Sequence, residues 1–231
     1  MKKLLVISSL IVSFTTASAN AKTQGSYFGI DILEANTKVK SKVFNTDKSS
    51  GPVGSEVFNS AAKDSSVGFG INYKYAINMN NFFIAPGLFY ESMGAEVKTE
   101  TKNQTYGITD TQKTKISSRS GVKLDLGYDV MDKLAVYIPV GFAVTSYKET
   151  HEAIDNTTRA TFAMARKNRN AVNAFYGAGF AFYPMKKLAI SLEYTRSRIN
   201  IKQANLPDEF GGSSTNKINL DVIKLGASYK F

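Results

Sequence analysis

INLDVIKLGASYKF, residues 218–231, decides the fold of this chain. From Ile223 onward, Ile223, Leu225, Ala227, Tyr229 and Phe231 fall on one face, and Lys224, Gly226, Ser228 and Lys230 on the other. That period of two is the signature of a β-strand. The apolar face ends with the chain itself, on an aromatic residue, where a soluble domain usually frays into polar residues. Just upstream, Ile218, Leu220 and Val222 have the opposite parity to Ile223. A β-bulge near Asp221–Val222 would reconcile the two phases, and so would a strand end standing clear of the surface that Ile223–Phe231 buries.

Working outward, the 231 residues are enough for one domain. Cysteine is absent, which excludes a disulfide framework and any Cys-based zinc site. Trp is absent too, while Phe (15) and Tyr (12) are plentiful, so any aromatic girdle is built from these two. Met1–Ala21 opens with Lys2 and Lys3, runs apolar from Leu4 to Phe14 and ends in small residues, the pattern of a secretory signal peptide cleaved after Ala21 or Ala19. Its apolar run falls short of the roughly 20 residues that span a bilayer as a helix. The expected organisation is a signal peptide at 1–21 and one domain at 22–231. Beyond residue 21 no apolar run is long enough for a transmembrane helix, so a membrane location requires a closed barrel, which alone satisfies the backbone of strands in lipid.

Eight segments alternate over about the 9–11 residues that a tilted membrane strand needs. They are Tyr27 to Leu33, Ser66 to Ile77, Phe82 to Gly94, Ser118 to Val130, Leu134 to Tyr147, Ala171 to Tyr183, Leu188 to Ser197 and the closing stretch. The second is the cleanest, with Val67, Phe69, Ile71, Tyr73, Tyr75 and Ile77 set against Gly68, Gly70, Asn72, Lys74 and Ala76. Short connections near Asn78, Met131 and Pro184 alternate with long ones at Ala35 to Ser65, Ala95 to Ser117, Lys148 to Asn170 and Asn200 to Lys217. Short periplasmic turns, long external loops and an even strand number are the layout of bacterial outer-membrane barrels.

The face opposite the apolar one separates a soluble barrel from a membrane one. It is mostly Gly, Ala and Ser with a few charges, poor material for a water-facing surface but suited to a crowded interior. Lys74, Glu91, Lys123, Asp125, Glu193 and Lys224 are expected to pair across that interior, since a Lys turned towards lipid near the midplane costs about 2–4 kcal/mol. The fold class is therefore an all-β, eight-stranded antiparallel transmembrane up-and-down barrel with short periplasmic turns and four long extracellular loops.

The signal peptide, the eight segments, the inward charges and the terminal VIKLGASYKF together resemble the small barrels of the OmpA-transmembrane, OmpX and opacity-protein group. They are most similar to the small surface-antigen barrels of alphaproteobacteria, including rickettsial adhesin-type proteins. The resemblance implies a bacterial outer-membrane location and recognition of Tyr229 and Phe231 by the barrel-insertion machinery. With no segment after Phe231, the wall-anchoring role of full-length OmpA-like proteins is not expected.

Candidate chemistry is sparse. An eight-stranded interior is filled by side chains, so the inward charges read as a network that closes the lumen, against the alternative of an ion path. His151 is the single histidine, flanked by Glu149 and Glu152, and the stretch supplies neither a nucleophile arrangement nor a zinc ligand set. No catalytic residue, cofactor or metal is expected. The net charge of +10 resides largely in the loops. In the third long loop, Lys148, Arg159, Arg166, Lys167 and Arg169 interleave with Phe162 and Met164. Such a stretch could grip a host-surface protein or an anionic glycan, or it could neutralise lipopolysaccharide phosphates while Phe162 and Met164 extend the sixth strand. Nucleic acid is not an expected partner of an exported surface protein. The functional expectation is a non-enzymatic surface antigen or adhesin. A small pore or transport accessory is the alternative, and a lipid-modifying outer-membrane hydrolase a more distant one.

Overall fold

The computed structural model describes residues 23–45, 56–103, 108–155, 158, 161–203 and 212–231. The expected signal peptide at 1–21 lies outside them. Eight strands run in chain order: β1 (Gly25–Asn45), β2 (Glu56–Met79), β3 (Phe82–Asn103), β4 (Ile108–Met131), β5 (Leu134–Asp155), β6 (Thr161–Met185), β7 (Leu188–Gln203) and β8 (Gly212–Lys230). Each pairs antiparallel with its sequence neighbours, and β8 returns to β1 from Tyr27↔Lys230 to Asn45↔Gly212, closing the barrel. The Phe231 N–H donates to the Ser26 carbonyl at 3.0 Å and ties the last residue into the seam. The short connections tighten to residues 80–81, 132–133 and 186–187. Asn80 adopts φ 60°, a left-handed turn conformation that asparagine tolerates better than most residues.

Prolines sit where the ladder lets go, because proline has no N–H to donate. The β2–β3 pairing is interrupted, without a change of register, between Lys74↔Gly87 and Ile77↔Ile84, beside Pro86, and the β5–β6 pairing likewise between Tyr137↔Gly179 and Val140↔Tyr176, beside Pro139. On their other sides, facing β4, both prolines stay paired.

The strands hold 16 to 25 residues, well beyond a membrane span, because most of each long connection continues as strand. This changes the expected picture of four long loops: the connections are long, but they are largely hairpin. Along β1, β3, β4, β7 and β8 the apolar face switches sides. In β1, Phe28, Ile30 and Ile32 point outward, whereas higher up Leu33, Ala35 and Val39 are buried inside and Lys38 and Lys40 face out. In β8, Tyr229 points outward, whereas Ile218, Leu220 and Val222 are fully buried. The lower band meets hydrocarbon. The upper part meets water, which requires the inside to be apolar.

Of the two explanations for the parity change in β8, the strand end above the membrane holds and the β-bulge is absent, since pairing with both β1 and β7 runs unbroken past Asp221 and Val222. Val222 and Lys224 both point inward, and what changes between them is the chemistry of the interior. Register does shift in β4, between Ile116 and Ser118, where the extra residue restores Ile116 to the inside.

The upper region is also divided. Pairing of β2 with β3 stops at Phe69↔Ser92, and pairing of β6 with β7 stops at Phe175↔Ser197. Above these points the chain forms two four-stranded sheets, β7-β8-β1-β2 and β3-β4-β5-β6. One apolar cluster joins them, with Leu33, Val39, Ile199, Ile218 and Leu220 from the first sheet and Met93, Val97, Ile116 and Tyr147 from the second. The region above the membrane is thus a small β-sandwich growing out of a barrel.

Two expectations follow. Folded protein in detergent should migrate at a different apparent mass from boiled protein on a gel, and a single unshifted band would contradict the closed barrel. Leu220→Ala should lower stability by about 2–5 kcal/mol, measured by urea unfolding in vesicles, and expose the upper hairpins to limited proteolysis. Gel mobility of the folded form should survive, because the membrane band is untouched.

Candidate functional site

The interior is stacked in layers, legible along β3 from the short turns upward: Phe83 and Ala85, then Phe89 and Glu91, then Met93, Ala95 and Val97. At the periplasmic end Tyr27, Phe83, Tyr137 and Tyr183 pack with five alanines. Two of these rings lie over cross-strand glycines, Phe83 on Gly127 and Tyr137 on Gly179, where any Cβ would overlap the ring. The small residues of the inward face are thus seats for aromatic rings as well as room for charges.

Above this layer, all six inward charges expected from the sequence are buried and stand in one connected chain. Lys74 Nζ lies 3.1 Å from Asp125 Oδ2, and Lys123 Nζ lies 3.4 Å from Asp125 Oδ1 and 3.0 Å from Glu193 Oε2. Lys224 Nζ bridges Glu193 Oε1 at 2.5 Å and Glu91 Oε1 at 3.0 Å. The chain ends on Arg119, whose Nε donates to Glu91 Oε2 at 2.7 Å and whose Nη2 donates to Thr195 at 3.3 Å. Arg119 is fully buried, with its guanidinium 5.4 Å from the Phe89 ring centre and 5.2 Å from that of Phe175. Tyr137 donates to Glu193 at 3.2 Å, and Asn72 donates to the nearby buried Asp31 at 2.8 Å. Counting Asp31 and Arg119, four buried cations (Lys74, Arg119, Lys123, Lys224) face four buried carboxylates (Asp31, Glu91, Asp125, Glu193), a formal sum of zero. Charges at this depth persist only when paired or hydrogen-bonded; seven of the eight are joined by ion pairs, and Asp31 accepts from the Asn72 amide.

Arg119 and Asp31 were missed as network members, although the signal was present. Arg119 shares inward parity with Lys123 and Asp125 one step beyond Gly121, and Asp31 alternates with the outward Ile30 and Ile32.

The basic residues of the third connection separate into different environments. The side chains of Arg159, Phe162 and Met164 lie outside the described residues, as does that of His151. The backbone of Met164 pairs with Glu152 within the β5–β6 ladder. Arg169 is half-buried with Nε 3.7 Å from Glu149, and Glu149 also accepts from Asn216 Nδ2 at 3.1 Å. Arg166 and Lys167 are exposed. Lys148 sits opposite Lys115 of β4 on the outer wall, and one step higher Lys113 is tied to Glu152 at 3.0 Å. Two cations directly opposed across a ladder repel, which favours an anion between them. At the other end, Tyr229 and Phe231 point outward with ring centres 5.2 Å apart, and Lys187 Nζ lies 5.7 Å from the Tyr229 ring centre.

Comparison with known proteins agrees with this architecture. No curated protein sequence matches the chain. Among solved structures, the outer membrane protease OmpT from Escherichia coli superposes with a TM-score of 0.55 at 12% identity, covering 95% of this chain and 100% of that one. Ail, the attachment invasion locus protein of Yersinia pestis, aligns at 18% identity over 90% of this chain and 99% of its own, with a TM-score of 0.42. The outer membrane protein OprG from Pseudomonas aeruginosa aligns at 13% identity over 93% and 99%, with a TM-score of 0.48. At 12% identity the likeness to OmpT is one of fold. The model of the outer membrane protein beta-barrel domain matches residues 6–231. With that match, a closed eight-stranded barrel and a lipid-facing apolar band, the chain belongs to the outer membrane protein β-barrel family and resides in the bacterial outer membrane.

Proposed function

We propose that this is a non-enzymatic surface protein that engages a host-surface or envelope partner through its two-sheet extension, while the ion-pair network keeps the lumen closed. The extension carries this reading. Ordering backbone costs about 1–2 kcal/mol per residue, and a barrel that only had to cross the bilayer would have no use for strands continuing to Asn45, Asn103 and Asp155. A shared apolar core makes those strands a rigid platform, and the platform presents Lys38, Lys40, Lys98, Lys115, Arg166 and Arg198 to the outside. Lipopolysaccharide phosphate fits between Lys115 and Lys148, at the foot of the platform. Export through residues 1–21 and insertion through Tyr229 and Phe231 complete the proposed biology.

A small pore is the second reading, favoured by the line of charges from Lys74 to Arg119. Two features weigh against it: the charges are paired with one another, and filled aromatic and apolar layers lie below and above them. Planar-bilayer recordings should show no steady, defined conductance for the wild-type chain. Discrete channels abolished by Lys123→Ala or Glu193→Ala would favour the pore instead. Breaking one partner of the network, as in Glu193→Gln, should cost about 3–5 kcal/mol in urea unfolding. Combining it with Lys123→Met should recover part of that loss, because the lysine is then no longer left short of a carboxylate. Cells displaying the full chain should bind host cells or purified envelope, and shortening the hairpins at residues 36–65 and 148–170 should reduce binding. Unchanged binding after both deletions would remove the platform from the mechanism.

A further inference from the structure

The two sheets of the extension separate at two forks of different character. At the β2/β3 fork a side chain bridges the opening, since the Glu96 backbone N–H donates to Asp64 Oδ2 at 3.0 Å. Its margins carry both signs, with Lys63 and Asp64 on one side and Glu96, Lys98 and Glu100 on the other. Lys98 pairs with Glu100. The β6/β7 fork is different. Residues 161–174 of β6 keep β5 as partner and have no β7 residue in register, while β7 beyond Ser197 pairs with β8 alone. Both strands therefore present backbone N–H and C=O groups towards the fork.

The charge around this second fork has one sign. Arg166 and Lys167 on β6 are exposed and have no ion pair among the described residues. On β7, Arg196 and Arg198 are exposed, and their partners Asp221 and Asn219 lie on β8, away from the opening. At the foot of the fork two buried polar atoms have no hydrogen-bond partner: Asn173 Nδ2, on the residue two above Phe175, and Ser197 Oγ, on the last β7 residue paired with β6. Both can donate. An open strand edge is a template for another strand. A basic edge repels a second copy of itself and attracts an acidic chain. Peptides that add a strand take their affinity from the backbone ladder and their specificity from alternate side chains.

We propose that the β6/β7 fork is a strand-addition site for an extended acidic polypeptide segment of a partner protein, bound along the β6 edge with carboxylates against Arg166 and Lys167. The proposal rests on the surface-partner reading above and names the chemistry of that partner. A segment of this kind supplies the backbone partners that residues 161–174 lack on one side, and a carboxylate reaching the foot of the fork would accept from Asn173 and Ser197.

The test uses the refolded full chain in detergent with three probes: a ten-residue Glu/Val peptide with Glu in adjacent pairs, so that carboxylates stand on both faces of the extended strand, the same peptide with Pro at every other position, and heparin as a sulfated polyanion. The Glu/Val peptide should bind and slow hydrogen exchange of amides within residues 161–174. The Pro version should lose binding, because it cannot form the ladder. Arg166→Glu combined with Lys167→Glu, both exposed and checked for folding by gel mobility, should weaken the Glu/Val peptide at least about tenfold. Equal binding of the Pro peptide, unchanged binding by the double variant, absence of exchange protection on β6, or binding of heparin without the peptide would each overturn the proposal. Cell binding separates it from the broader reading. If cells displaying the double variant still adhere while the hairpin deletions do not, the fork is wrong and the platform stands. If even the wild type fails to adhere, the surface-partner reading falls.

Discussion

One constraint organises the molecule: a strand that crosses from hydrocarbon into water must exchange its apolar face for its polar one. The hydrophobic effect favours whatever arrangement removes apolar surface from water. Within the bilayer that surface belongs outside, against lipid, and above the bilayer it belongs inside. Because side chains alternate strictly, the exchange needs no change in backbone, only a change in which parity carries Ile, Leu and Val. β1 makes the exchange between Ile32 and Leu33, and β8 between Val222 and Ile223. In β4 the lower strand carries its apolar residues outward up to Val122, and a bulge at the boundary turns Ile116 inward. The same result is thus reached by residue choice in most of these strands and by an inserted residue in one.

The interior of the membrane band follows from the same constraint. With apolar residues committed to lipid, the inside of a narrow barrel has to be filled by what remains. Aromatic rings seated on glycines fill the periplasmic third, and the middle is filled by charges. Seven buried ionic groups would be untenable singly; joined as Lys74–Asp125–Lys123–Glu193–Lys224–Glu91–Arg119, each lysine or carboxylate in the middle of the chain has two opposite neighbours. Removing one partner is then costly, whereas the network as a whole is weak evidence for stability over an apolar core. Its value lies in fixing which strand faces which across the lumen. The links Lys123–Glu193 and Lys224–Glu91 join strands far apart in the barrel order.

Much of this was legible in the residues. Phe28, Phe69, Tyr90, Phe142 and Tyr176 declare the lipid face by alternation alone, and Lys74, Glu91, Lys123, Asp125, Glu193 and Lys224 lie on the opposite parity in the same segments. Strand length was harder to read, for a physical reason: lipid-facing alternation is dense in Ile, Val and aromatics, whereas in the extension the inner face is interrupted by Thr37, Thr99 and Thr114, and the outer face is charged. Such stretches look like polar loops. The parity change at Val222 was visible and left two explanations open, a bulge or a strand end above the membrane; only the register of β8 with β1 and β7 decides for the second. Arg119 was hidden by its position at the edge of a segment. The pairing of Arg169 with Glu149 could not be read at all, since it depends on the register of two strands joined by a long connection.

The position of the forks is itself a consequence of the exchange. A barrel cross-section leaves its centre far from every wall, a gap that large aromatics and paired long charged side chains can bridge. Leu, Ile, Val and Ala are shorter, so an apolar interior closes without voids only if the walls approach to the separation of about 10 Å found between packed sheets. Flattening eight strands to that separation strains the ladder at the two places where the wall turns back on itself, and those lie opposite one another. Dividing the strands four and four puts the turns between β2 and β3 and between β6 and β7, where pairing stops. Each break begins as the interior passes from the level of Phe89, Glu91 and Phe175 to the apolar cluster above. The open edges at the cell surface are thus the geometric result of a dry core built on an eight-stranded circumference, and the side chains along each edge determine what kind of chain can meet it.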